Sequence, residues 1–117
     1  MLLHEIVHAL SSDALERPKT AEEQLFAEVT NSIYSFFDKL IPETEVSRTD
    51  SITGAYILND VHEFAAEFAT NRDARQLLYE KAIEYDRTKN GKAILKIKKF
   101  INSLSNLLFN KRLFKLK

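Results

Sequence analysis

Residues that interrupt helices are scarce in this 117-residue chain, which contains only two glycines and two prolines. Folds rich in β-structure need many tight turns, and those turns depend on glycine and proline. Apolar residues instead recur at three- and four-residue steps, most clearly at Leu25, Phe26, Val29, Ile33, Phe36, Phe37 and Leu40. This spacing forms the apolar stripe of a core-facing helix. The sequence therefore predicts a mostly α fold, a compact bundle of about five helices, with room for one short strand within residues 43–55.

Capping and stop signals divide the chain into these helices. Thr20 and Glu23 form a capping box, and Asp60 with Glu63 resembles a second one. Asn90-Gly91 is a typical helix stop. The predicted helices are Met1 to about Arg17, Ala21–Leu40, Asn59 or Asp60 to about Thr70, Asn71 or Asp73 to about Arg87, and Lys92 to about Phe109.

Charge is distributed unevenly along the chain. Residues 1–86 hold seven basic and 17 acidic residues, a formal charge of −10, whereas residues 87–117 hold ten basic and no acidic residues, a formal charge of +10. We predict a domain over residues 1–91 and a basic amphipathic C-terminal helix and tail, residues 92–117, packed on it. Contact of that tail with nucleic acid or a membrane surface is the less favoured alternative, because no aromatic side chains interleave with the lysines between Lys92 and Lys99.

Cellular location is only weakly constrained. The chain has no cysteine, which is compatible with the cytoplasm and excludes disulfides and cysteine-ligated zinc. The apolar start is too short for a membrane span and lacks the basic leader of a signal peptide. The compartment therefore stays unassigned.

The first helix carries the pattern His-Glu-x-x-His at His4, Glu5 and His8. Residues four apart lie on one helix face, so both imidazoles could bind one metal ion, while Glu5 lies about 100° around the helix. The other residues from Leu2 to Leu10 are apolar, which predicts a buried helix whose only polar side chains are these three. Buried polar groups without a task are costly, so the pattern favours one Zn²⁺ per chain.

A catalytic zinc site needs a third protein ligand and one open position. The candidates are His62, Glu63 and Glu67, in the stretch Asp60-Val-His-Glu-Phe-Ala-Ala-Glu-Phe68. Glu63 and Glu67 are four apart and share one helix face, while His62 points about 100° away. Two histidines and a glutamate would form the ligand set of thermolysin-type enzymes.

The stretch from Tyr56 to Phe68 resembles the second motif of the lethal-factor-like zinc metallopeptidases of the gluzincin type, a group with phage-encoded members. That motif has a tyrosine, a glutamate seven residues later, and a second glutamate four residues after the first. The resemblance implies His4, His8 and Glu63 as zinc ligands and Glu5 as general base. It also implies Tyr56 as a hydrogen-bond donor to the developing oxyanion, and Glu67 as a carboxylate that orients a ligand histidine.

Members of this family have a strand before the zinc helix, along which extended substrate pairs. Here only three residues, Met1 to Leu3, precede His4. Three alternatives stay open: the strand belongs to a longer polypeptide N-terminal to Met1, the chain is a truncated relative, or residues 43–55 supply the substrate edge.

These observations predict a zinc metalloendopeptidase domain, a truncated metallopeptidase-like core that hydrolyses peptide bonds in a peptide or protein substrate with a metal-activated water. The alternative is a catalytically weak helical interaction module that retains the metal site and acts through its basic C-terminal helix.

Overall fold

The computed structural model describes residues 2–41, 58 and 60–109, with the side chains of residues 2–4 excepted. Within these residues the fold is entirely helical and confirms the predicted bundle of about five helices. The helices are α1 (Leu2–Glu16), α2 (Ala21–Leu40), α3 (Val61–Thr70), α4 (Arg72–Lys89) and α5 (Ala93–Leu108). The strand expected within residues 43–55 lies outside the described residues.

Both predicted helix starts are confirmed by their caps. The Thr20 hydroxyl accepts a hydrogen bond from the Glu23 backbone N–H at 3.1 Å, and Asp60 Oδ1 accepts one from the Glu63 N–H at 2.8 Å. The Glu23 carboxylate accepts from the Lys19 N–H at 2.7 Å, one residue before the cap. A side chain therefore satisfies one of the unpaired amides in the first turn of each of these helices.

The core centres on the ring of Phe100, which joins three helices. Its centroid lies 6.2 Å from that of Phe26 in α2, and 5.4 and 5.0 Å from those of Phe64 and Phe68 in α3. All four rings are at most 3% exposed. Around this cluster α3 packs most extensively on α1, and α5 on α2.

Two details of the predicted burial are wrong. Leu25, which was assigned to the apolar stripe of α2, is 51% exposed because the buried face of α2 is narrower than the predicted stripe. The first helix is also not buried all round. Val7, Ser11 and Ala14 face the core, whereas Glu5, Ala9 and Asp13 are exposed to solvent.

The corner between α4 and α5 is built from local polar contacts. Asn90 ends α4 in the left-handed region, at φ 54°. Asp86 then accepts hydrogen bonds from the N–H groups of Ala93 (2.7 Å) and Ile94 (3.1 Å), so a side chain of α4 caps the start of α5. A Cβ added at Gly91 would clash with Tyr85 Cε1, so glycine lets the backbone approach this ring.

None of the helices in the described ranges is long and apolar enough to cross a membrane.

We predict that Gly91→Ala lowers the free energy of unfolding by about 1–3 kcal/mol, the usual cost of overpacking. The Tyr85 ring cannot withdraw freely, because it packs edge-on against Phe36 at a centroid distance of 5.0 Å. Urea denaturation of the wild type and the variant measures this change. In a Tyr85→Ala background the same substitution should cost much less, and an equal cost in both backgrounds would contradict the steric explanation.

Candidate metal centre

His8 and Glu63, two of the predicted ligands, lie next to each other although they are 55 positions apart in sequence. His8 Nε2 is 3.1 Å from Glu63 Oε1. The Glu63 side chain is 14% exposed and that of His8 is 39% exposed, so the pair lies at the edge of the α1–α3 interface. This is the main convergence of predicted site residues that the described side chains show.

The position of Glu63 follows from how α3 is anchored. The Asp60 cap fixes the first turn of the helix, and Phe64 and Phe68 insert into the core one turn apart. Because each residue is rotated by about 100° from the next, a helix with residue 64 facing the core presents residue 63 to one side. That side is occupied by α1, which brings the Glu63 carboxylate to His8.

The distance between the two atoms fits a pair of zinc ligands. Zn–N and Zn–O bonds of about 2.0–2.1 Å in a tetrahedral site separate the two ligand atoms by about 3.3 Å. The observed 3.1 Å is close to that value, and it also fits a direct hydrogen bond from a protonated imidazole. An imidazole nitrogen and a carboxylate oxygen are, chemically, a donor pair that zinc accepts.

Two of the predicted site residues have no described side chain. The side chain of His4 lies outside the described part of α1, and Tyr56 lies outside the described residues altogether. Among the described side chains, no cluster of three or more His, Asp or Glu residues could hold a metal ion. The complete ligand set of His4, His8 and Glu63 therefore stays a prediction.

Glu5, the predicted general base, lies on the exposed face of α1. A carboxylate there is accessible to water. Glu67 lies one turn after Glu63 on α3 and is partly buried. Its Oε1 accepts a hydrogen bond from Asn71 Nδ2 at 2.9 Å, which restrains the carboxylate.

The structure adds a group of residues that the sequence argument did not connect with the site. Ser12 Oγ lies 3.2 Å from His8 Nδ1 and 3.0 Å from His62 Nδ1. His62 Nε2 in turn lies 3.5 Å from Glu16 Oε2. His62, considered above only as a rival ligand to Glu63, therefore faces α1 and belongs to the same polar interface.

A signal for part of this group is present in the sequence. His4, His8, Ser12 and Glu16 follow one another at four-residue steps along α1. Such steps form a row on a helix surface, so Ser12 could have been identified as the neighbour of His8 one turn later. His62, the partner of Ser12 on α3, could not have been identified in this way, because no local sequence pattern indicates how two helices pair.

Two of the three lysines of α5 are exposed, whereas Lys96 lies over the Phe36 ring of α2, with Nζ 5.8 Å from the ring centroid. Ile97, Phe100 and Leu104 are buried, whereas Lys98 and Lys99 are exposed. A partner of α5 would therefore meet lysine side chains rather than its apolar stripe. Binding of nucleic acid or a membrane by residues 92–117 stays the less favoured prediction.

Comparison with protein-family models found no match, and searches of curated proteins and of solved structures likewise found none.

In metal-free protein we predict a small favourable coupling between His8 and Glu63. A double-mutant cycle of His8→Ala and Glu63→Ala, followed by urea denaturation in the presence of a chelator, should give about 0.5–1 kcal/mol, because the pair is only partly shielded from water. Replacing Glu28, an exposed glutamate of α2, should give no coupling with His8→Ala. A His8–Glu63 coupling indistinguishable from zero would show that the contact contributes nothing to the docking of α3 on α1.

Proposed function

We propose that this chain is the zinc-binding helical core of a metallopeptidase that hydrolyses peptide bonds, with His4, His8 and Glu63 as the metal ligands. The observation that supports it is the 3.1 Å approach of His8 Nε2 to Glu63 Oε1. The motif on α1 and the glutamate on α3 are separate sequence signals, and helix packing brings His8 of the motif next to Glu63. Such proximity is required of two ligands of one ion.

Each remaining residue then has a defined task. Bound zinc would supply a Lewis acid that makes water a competent nucleophile near neutral pH. Glu5, adjacent to His4 on the exposed face of α1, accepts the proton of the attacking water and passes it to the leaving amine. Glu67, held by Asn71, orients a ligand histidine, an assignment that comes from the family resemblance. Tyr56 donates a hydrogen bond to the oxyanion, an assignment that rests on the family resemblance alone.

The alternative is a catalytically weak helical interaction module that retains the metal site and acts through its basic C-terminal helix. In that module the contact between His8 and Glu63 joins α3 to α1 and supports no hydrolysis. The two functions differ in whether the zinc-loaded protein hydrolyses peptide bonds and whether that hydrolysis depends on Glu5.

We predict that zinc stabilises the wild-type protein and binds at about one ion per chain. At a zinc concentration about 100 times the dissociation constant, the free energy of unfolding should rise by about 2.7 kcal/mol. Elemental analysis after dialysis and thermal denaturation with and without zinc measure the two quantities. Both effects should be lost in His4→Ala, His8→Ala and Glu63→Ala and retained in the surface control Glu28→Ala. A wild type that binds no zinc would refute the proposal.

We further predict that Glu5→Gln abolishes hydrolysis and leaves the zinc content unchanged, because the amide cannot accept the proton of the attacking water. A peptide mixture analysed by mass spectrometry detects cleavage without knowledge of the preferred sequence. Glu28→Gln removes the same charge from α2 and should cleave as the wild type does. If the zinc-loaded wild type cleaves no more peptides than Glu5→Gln does, the metal site is not a peptidase centre.

A further inference from the structure

A groove runs between α2 and α5 on the surface of the bundle. Leu25 and Val29 of α2 border one side of it, and Lys99, Asn102 and Asn106 of α5 border the other. This cavity has a volume of about 400 Å³. A second cavity of about 210 Å³ is also lined by Val29 and Lys99, so the two form one continuous groove.

The two sides of the groove carry opposite charges. Helix α2 holds four acidic residues and one basic residue, a formal charge of −3, whereas α5 holds three basic and no acidic residues, a formal charge of +3. Glu28 on the α2 side and Lys99 on the α5 side border the smaller cavity, and both are exposed. Neither forms an ion pair with another side chain in the described part of the chain. The surface therefore matches a partner that carries the same two charges in the opposite order.

The groove also has exposed apolar side chains beside it. Leu25 is 51% exposed, and Leu95, one turn before Lys99 on α5, is 45% exposed. The shorter helix is about 24 Å long and two packed helices are about 20 Å wide, so the face offers about 500 Å² per copy. Two such faces would form an interface of about 1,000 Å², the lower limit of a specific dimer.

We propose that this face joins two copies of the chain into a homodimer, related by a two-fold axis that runs along the groove. A two-fold interface requires a surface that is complementary to itself, and a face with one acidic and one basic side meets this requirement. The occupant of the groove is thus the same face of a second copy.

The direction of the axis follows from the helices. They run antiparallel, because Leu25 lies by Asn106 whereas Lys96 lies over Phe36. An axis along the groove lays α2 of each copy over α5 of the other, so that each Glu28 faces a Lys99 and both Leu25 side chains approach the axis. An axis across the groove would instead place α5 on α5, with lysine against lysine.

The dimer is independent of the proposed zinc site. His8 and Glu63 belong to α1 and α3 and border neither part of the groove. Zinc binding and hydrolysis measured below the dissociation constant of the dimer follow the monomer, in which Glu28 is an ordinary exposed residue of α2.

The first test is sedimentation equilibrium of the full chain at about 5–500 µM, the range in which an interface of this small size should associate. The wild type should dimerise. Glu28→Lys and Lys99→Glu should each weaken dimerisation about tenfold or more, because like charges then face each other at two places. The double variant Glu28→Lys with Lys99→Glu restores the opposite charges and should return to within about threefold of the wild type.

Lys98→Glu is the matched control for this test. Lys98 is exposed and carries the same charge as Lys99, but it does not border the groove, so its reversal should change the dissociation constant less than about twofold. A wild type that stays monomeric over the whole range would overturn the proposal. A double variant that associates no better than the single variants would overturn the pairing of Glu28 with Lys99.

The second test probes the axis. The chain has no cysteine, so a single substitution introduces one thiol per copy. A short bismaleimide should cross-link Leu25→Cys into a covalent dimer, because the axis brings the two positions together. Ile83→Cys on α4 is the matched control, with 52% exposure at the native side chain, and should cross-link several-fold less. Equal cross-linking of the two variants would overturn this arrangement.

Discussion

The rotation of α3 about its own axis is the constraint on which the candidate site depends. Phe64 and Phe68 pack against the Phe100 ring at 5.4 and 5.0 Å, and this contact determines which side of α3 faces α1. A rotation by a single residue, about 100°, would carry Glu63 away from His8. Apolar packing in the core therefore determines a polar contact at the surface.

Local structure was predictable to within a residue or two. The α2 helix spans Ala21–Leu40 as the capping box and the apolar stripe predicted, because caps and periodicity depend on residues a few positions apart. Solvent exposure was less predictable. Leu25 matches the spacing of its stripe and yet is half exposed, since burial depends on how wide a surface α5 covers on α2.

The residues of the candidate site were likewise predictable only in part. His8 and Glu63 could be selected by motif, since each belongs to a short pattern with a chemical meaning. Ser12 and His62 have no such pattern and become neighbours only through the packing of α3 on α1, which places His62 Nδ1 3.0 Å from Ser12 Oγ. Motifs identify candidate metal ligands, whereas tertiary structure identifies the side chains next to them.

The four-residue row of α1 has a geometric consequence for the interface. Rows of residues four apart are the ridges by which helices interlock, and they run at an angle of about 26° to the helix axis. Four steps of 100° exceed a full turn by about 40°, so the row winds slowly around α1. His8, Ser12 and Glu16 thus form a ridge that α3 meets with Glu63 at one point and His62 at another. The polar contacts of His8 and the docking of α3 share the same row, so a substitution that repacks this ridge would alter both together.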